Sequence, residues 1–152
     1  MTDLIFEELV PAHFDVSDGT VELFEGASTG GFPEGPPRRI IQTDQPWEVR
    51  FTWTNSGLLV PFIQGVWHLE ILLEQIGPNE FGFPAGLGKA TVPFQSVNPT
   101  TYSQTIQIPQ NIVPEGIYRL TACITFTSPA PASVPGPIAA FAELGGIKFY
   151  KA

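Results

Sequence analysis

Only one cysteine, Cys123, stands in 152 residues, so no internal disulfide framework can staple this chain. Histidine is almost as scarce, with His13 and His68 the two present. Two histidines and one cysteine cannot complete a tetrahedral zinc site without carboxylates, and no metal site or cofactor is expected. Charge is thin as well, at 14% of residues, which leaves solvation of the surface to Thr, Ser, Gln and Asn. No apolar run approaches the roughly 20 residues of a membrane-spanning helix. The opening MTDLIFEELV carries acids where a secretory signal would carry bases. A cytoplasmic location is the default expectation, with export by a leaderless route left open.

What the chain has in quantity is apolar and aromatic mass. Hydrophobic residues make up 43%, including 12 Phe, 3 Trp and 3 Tyr, well beyond what a disordered chain carries. Its length suits one domain with a real core. Fifteen Gly and 16 Pro punctuate it. Pro is costly inside helices and central strands, so such frequent interruption favours many short strands. The net charge of −8 is unevenly placed: residues 1 to 34 hold Asp3, Glu7, Glu8, Asp15, Asp18, Glu22, Glu25 and Glu34 with no base, and the remainder is balanced. Nucleic acid is excluded as a partner, because phosphate binding needs clustered Lys and Arg. The acidic segment is either a solubilising tail or an arm that docks on a basic partner.

Along the chain, Leu4, Ile5, Phe6, Leu9 and Val10 fit one helical turn or a strand. Phe14 and Val16, the turn signal Asp18-Gly19, then Val21 and Leu23 predict a hairpin over 12–25. The loop GASTGGFPEGPP at 26–37 is the best linker, which allows an acidic arm or first hairpin at 1–25 and a body at 38–152 within a single domain 1–152. From Trp47 the period of two is clear. Trp47, Val49, Phe51 and Trp53 share one face, and so do Trp67, Leu69, Ile71 and Leu73. Residues 89 to 97 form a weaker strand that Pro93 marks as an edge. Tyr102, Ile106 and Ile108 alternate with polar neighbours. Tyr118, Leu120, Ala122, Ile124 and Phe126 face inward from the strongest strand. The last strand, Ile138 to Tyr150, is apolar on both faces before Gly145-Gly146 bends it. Strands separated by turn clusters, with no sustained helical period, predict an all-β sandwich.

Three segments carry a further resemblance. WEVRFTWTNSG ends a strand of inward aromatics in Asn55-x-Gly57, the next strand carries an inward Trp67, and EGIYRLTACITF places Tyr118 shortly after Gly116. In this order the chain resembles the immunoglobulin-like β-sandwich superfamily, and within it the adhesion-type domains of bacteria and archaea, over roughly residues 40 to 150. The resemblance implies an antiparallel sandwich of about 7–9 strands, with Tyr118 as the tyrosine corner and Leu120 where antibody domains place a cysteine. It also implies adhesion, scaffolding or polymerisation as the kind of role, since fold alone fixes no chemistry.

Catalytic constellations are sparse. His68 lies beside Glu70 on an outward face, a pair able to orient an imidazole but more commonly a solvated ion pair. Cys123 lacks a base nearby in sequence and reads as a small half-buried hydrophobe. Asp15-x-x-Asp18-Gly19 lacks the remaining oxygens of a calcium loop. No enzyme is expected. The last strand is the informative feature, because an apolar edge invites pairing unless something covers it. Either the amino-terminal segment covers it from within, or another copy does so by strand addition. The expectation is a structural or interaction module assembling with itself, as a homo-oligomer or filament, or within a larger complex. Its interface candidates are Ile138, Phe141, Leu144, Ile147, Phe149 and Tyr150, with Leu4, Ile5 and Phe6 as a complementary arm. The alternative is a carbohydrate- or ligand-binding sandwich using the loop aromatics Phe32, Phe81 and Phe83.

Overall fold

The computed structural model describes residues 2–8, 13–25, 32–33 and 40–151. Its strands are β1 (Thr2–Asp3), β2 (Ile5–Glu8), β3 (Asp15–Glu25), β4 (Phe32–Pro33), β5 (Ile40–Gln42), β6 (Trp47–Ser56), β7 (Val66–Gln75), β8 (Lys89–Pro93), β9 (Thr100–Ile108), β10 (Gly116–Thr127) and β11 (Pro135–Tyr150), with one 3-10 turn at Val60–Phe62. Four of these strands have four residues or fewer, and the seven longer ones are the expected sandwich. One sheet runs β1-β3-β6-β9 with β4 added beside β3; the other runs β2-β11-β10-β7-β8 with β5 added beside β11. Every pairing is antiparallel except β5 with β11. Three long strands facing four, in this chain order, make an immunoglobulin-like antiparallel sandwich.

Alternation in the sequence becomes the core directly, since successive side chains point to opposite faces. The predicted inward sets of β6, β7, β9 and β10 are all buried, from Trp47 and Trp53 through Trp67 and Tyr102 to Tyr118 and Phe126. Aromatic rings fill both ends of the space between the sheets. At one end Trp67 meets Trp53 edge-on with centroids 5.8 Å apart, stacks with Phe14 at 6.5 Å and packs on Phe126 at 5.0 Å. At the other, Phe149 meets Trp47 and Tyr118 edge-on, both at 5.4 Å. Edge-to-face rings add to the stabilisation that burial supplies. Tyr118 donates its hydroxyl to the Pro114 carbonyl at 2.9 Å, so the expected tyrosine corner is present.

Two expectations change. Residues 15–25 form one continuous strand, not part of a hairpin: Ser17 pairs with Thr54 and Thr20 with Thr52, which leaves Asp18 and Gly19 opposite Trp53 alone. Asp18 takes a positive φ of 52°, the left-handed conformation its side chain tolerates. The turn signal is therefore spent on a β-bulge. Nor is the amino-terminal segment a detached arm, because β1 and β3 belong to one sheet and β2 to the other. Leu9, Val10 and most of the linker 26–37 lie outside the described residues. Gly145-Gly146 also bulges its strand without ending it: Leu120 pairs with Gly145 and Thr121 with Glu143, and Leu144 is the extra residue.

Candidate interaction surfaces

The last strand is covered from within. Ile138–Phe141 of β11 pair with Glu8–Ile5 of β2, and Lys148–Tyr150 pair in parallel with Ile40–Gln42 of β5. Most of the interface candidates are consequently core: Leu4, Ile138, Leu144, Ile147 and Phe149 are buried, while Phe6 packs on the core partly buried, and Tyr150 is half-buried. The strand reads as apolar on both faces because Ala139 and Phe141 occupy its outward positions in the stretch that pairs with β2. Two candidates do reach solvent, Ile5 at 73% exposed and Phe141 at 47%. They are cross-strand partners, and Cys123 faces Phe141 on the other side.

The loop aromatics also turn inward. Phe81 meets Phe83 edge-on at 5.2 Å and Tyr118 at 5.8 Å, and Phe83 reaches Trp47 at 6.3 Å. Both are half-buried, so they close the end of the core that holds Trp47, Tyr118 and Phe149 and offer no stacking platform. Phe32, in β4, is described by its backbone pairing with Glu25 alone.

The residues with reactive side chains gather in one shallow depression of about 340 Å³ on the outer face of the six-stranded sheet, lined by His68, Glu70, Lys89, Thr91, Cys123 and Thr125 among others. They do not form a triad. His68 Nε2 is 2.8 Å from the Thr127 hydroxyl, and Glu70 lies 3.8 Å from Lys89 Nζ, so the anticipated His68–Glu70 pairing is replaced by two others. Cys123 sits across from Glu70, and Thr125 across from His68. Burial, and then the Glu70 carboxylate, push the Cys123 thiol above its ordinary pKa, the reverse of activation. Among the described residues no group of three or more His, Cys, Asp or Glu is placed to hold a metal ion.

A different region gathers exposed apolar side chains. Asp15 pairs with Ser56, Val66 with Pro93 and Thr127, and Thr127 with Pro135, so the loops 57–65, 94–99 and 128–134 emerge at one end of the sandwich. None of the three contains a charged residue. They display Leu58, Leu59, Phe62, Val97 and Val134, with Phe62 84% exposed and Leu58 71%. The first loop is held firmly. Val60 is fully buried and plugs the turn into the core. Leu59 N donates to the His13 carbonyl at 3.0 Å, Phe62 N to the Leu59 carbonyl at 2.9 Å, and Gly57 N to Asn98 Oδ1 at 3.0 Å. Asn55, wholly buried, donates Nδ2 to the Asp15 carbonyl at 2.9 Å. Gly57 has φ of 130°, and any Cβ there would collide with the His13 carbonyl. The Asn55-x-Gly57 motif thus fixes how the chain leaves β6. Phe62 was not singled out from sequence, although an uncharged LLVPFI run between Gly57 and Gly65 was the available signal.

The sheet edges differ sharply in protection. β8 is five residues long and holds Lys89 and Pro93, while β2 carries Glu7 and Glu8 and β1 carries Asp3. The nine residues of β9, TTYSQTIQI, contain no charge and no proline. Among the described residues, β6 is the strand paired with β9.

No family model matches the chain, and no curated protein does. A solved structure with a similar fold is the CARDB domain of the PF1109 protein from Pyrococcus furiosus, a structure described as a complex with di-metal ions. It is 13% identical, the match covers 91% of this chain and 92% of that one, and the TM-score is 0.40. Among the described residues no helix is long and apolar enough to cross a membrane.

Proposed function

We propose that this chain is a non-catalytic interaction module that engages a partner protein through its uncharged loop end, with Phe62 as the anchor. The observation that carries this reading is a nearly fully exposed phenylalanine on a turn that is pinned on both sides. Leaving such a ring in water forgoes about 2 kcal/mol of burial. A preorganised aromatic loses little entropy when it docks, which is the property of an interface hot spot. Leu58, Leu59, Val97 and Val134 supply the apolar surround.

A protein pocket suits this surface better than a lipid headgroup layer. The three loops hold no Lys, Arg, Trp or Tyr, the residues that anchor proteins at membrane interfaces. Asp15 beside them, in a chain of net charge −8, would be repelled by anionic lipid. Phe has no polar handle with which to bind a sugar hydroxyl. The raised Cys123 pKa and the Thr127 engagement of His68 support the non-catalytic reading. The sequence likeness to bacterial and archaeal adhesion-type domains is in keeping with an adhesive role.

The test replaces Phe62 with a photo-crosslinking phenylalanine analogue in the native host, identifies the captured protein, and measures binding of that purified protein to Phe62→Ser and Leu58→Ser variants. Each variant should bind at least tenfold more weakly, a loss of about 1.4 kcal/mol, with its melting temperature unchanged. Equal binding by the variants, or crosslinking to lipid in place of protein, would overturn the reading.

A further inference from the structure

A second apolar patch lies at the far end of the sandwich from Phe62. Lys148 of β11 pairs with Ile40 of β5 on one side and Ile117 of β10 on the other, and Ile76 N donates to the Ile117 carbonyl at 2.8 Å. With neighbouring strands about 4.8 Å apart, Ile40, Lys148, Ile117 and Ile76 make one row about 14 Å long on the six-stranded sheet. Each isoleucine is at least half exposed. Scattered exposed aliphatics need no explanation, whereas contiguous ones mark interaction sites.

Charge distinguishes the two patches. Arg50, Lys89 and Arg119 each pair with an acid of their own sheet. Among the described residues no acid is paired with Lys148, which stands exposed between two isoleucines. Arg38 and Arg39 directly precede Ile40 in sequence and Lys151 follows Tyr150, so four of the seven bases flank this paired segment. The exposed acids of this end, Asp44, Glu80 and Glu115, lie in loops outside the row. At the Phe62 end the sign is reversed. Asp15 sits opposite Ser56, next to Gly57, and Asp18 is exposed three residues on. Among the described residues neither enters an ion pair, and the three loops there hold no base.

Resting on the loop-end reading above, we infer that the protein docked by Phe62 is a second copy of this chain, bound head to tail. Phe62 and Leu58 of one copy pack on Ile40, Ile117 and Ile76 of the next, and Asp15 and Asp18 face Lys148. Charge selects this orientation. Two loop ends brought together would oppose Asp15 and Asp18 to themselves, and two isoleucine rows would oppose Lys148 to Lys148. Head-to-tail contact matches each sign with its opposite. β10 alone puts roughly 34 Å between Ile117 and Thr127, so one copy cannot close the contact on itself. A heterologous contact of this kind repeats into an open filament.

Sedimentation velocity on the full chain should show an average mass that climbs past the dimer as concentration rises. Added salt should lower it, because the exposed Asp–Lys contacts are screened. Phe62→Ser disables one surface and Ile117→Ser the other, so each variant alone should stay near 16.5 kDa. Mixed in equal amounts they should form a dimer and nothing larger, since one intact surface of each kind remains. Lys148→Glu should behave as Ile117→Ser does, and it replaces that variant if circular dichroism shows the serine to cost the fold. Wild type that stays monomeric to about 1 mM, a Phe62→Ser chain that assembles like wild type, or a mixture that does anything but dimerise would overturn the inference. The loop-end reading fails on a different result, equal binding of the crosslinked protein by the Phe62 variant. A monomeric wild type whose Phe62 captures a foreign protein therefore removes the self-docking and leaves that reading in place.

Discussion

Tyr118 ties burial to pH. Its ring is inaccessible to water and its hydroxyl donates to Pro114, and burial raises its pKa above the ordinary 10.0. The folded state therefore holds the phenolic proton more tightly than the unfolded chain does. That contribution is complete below pH 10 and is lost as pH rises through the folded value. Alkaline titration should unfold the wild type above about pH 10, and Tyr118→Phe, which carries no ionisable group, should lack this component while costing about 1 kcal/mol at neutral pH for the missing hydrogen bond. Chemical denaturation at pH 7 and pH 10.5 reads both effects. For Cys123 the raised pKa predicts slow alkylation by iodoacetamide at pH 8, slower than a free thiol. Glu70→Gln removes one of the two causes and should accelerate it, while burial keeps the rate below that of an unfolded control. Gly57 gives a third outcome at this scale. With φ of 130° and the His13 carbonyl against its α-carbon, Gly57→Ala should destabilise the fold by about 1–3 kcal/mol, measured by urea denaturation.

Among the elements, the contrast between β9 and β11 shows what alternation reveals and what it hides. The inward apolar residues of β6, β7, β9 and β10 are readable from a period of two, and the tyrosine corner from the resemblance carried by EGIYRLTACITF, because each depends on a single strand and its own turn. The covering of β11 was not readable. It depends on which distant segments pair with it, and sequence offers both the amino-terminal segment and a second copy, with the first the plainer reading. The same limit explains residues 15–25, where Asp18-Gly19 carries the chemistry of a turn and the local conformation of one, yet β6 continues past it and makes it a bulge. Removing residues 1–8 tests the covering directly. The truncated chain exposes the edge from Ile138 to Phe141 and should melt at lower temperature and aggregate on heating, as static light scattering during a thermal ramp would register.

Over the whole molecule, one end of the sandwich gathers exposed apolar side chains without charge. No Asp, Glu, Lys or Arg occurs from Phe51 to Leu69, from Ala90 to Pro114 or from Leu120 to Ala142, and the strand pairings bring one loop from each stretch, 57–65, 94–99 and 128–134, to one end. The individual stretches were visible in the sequence, but their convergence was not, because it needs the strand order. Phe81 and Phe83 drew attention as loop aromatics for the same reason that Phe62 escaped it: loop position says nothing about which way a ring turns. Since Phe62 is exposed, Phe62→Ser should leave the denaturation midpoint within about 0.5 kcal/mol of wild type, whereas Val60→Ala, two residues earlier and buried, should lower it by roughly 1–3 kcal/mol.

The pairing of β2 with β11 carries a cost in time. Glu8 finds its partner in Ile138, and Gln42 finds Tyr150, so during synthesis each of these strands waits for a partner made long after it. Until then the nascent chain holds an incomplete sheet with its backbone groups unmet, and closure across such sequence distances is slow. Synthesis at speed, or arrest before Ile138 is made, would leave that interval open to entanglement with neighbouring nascent chains.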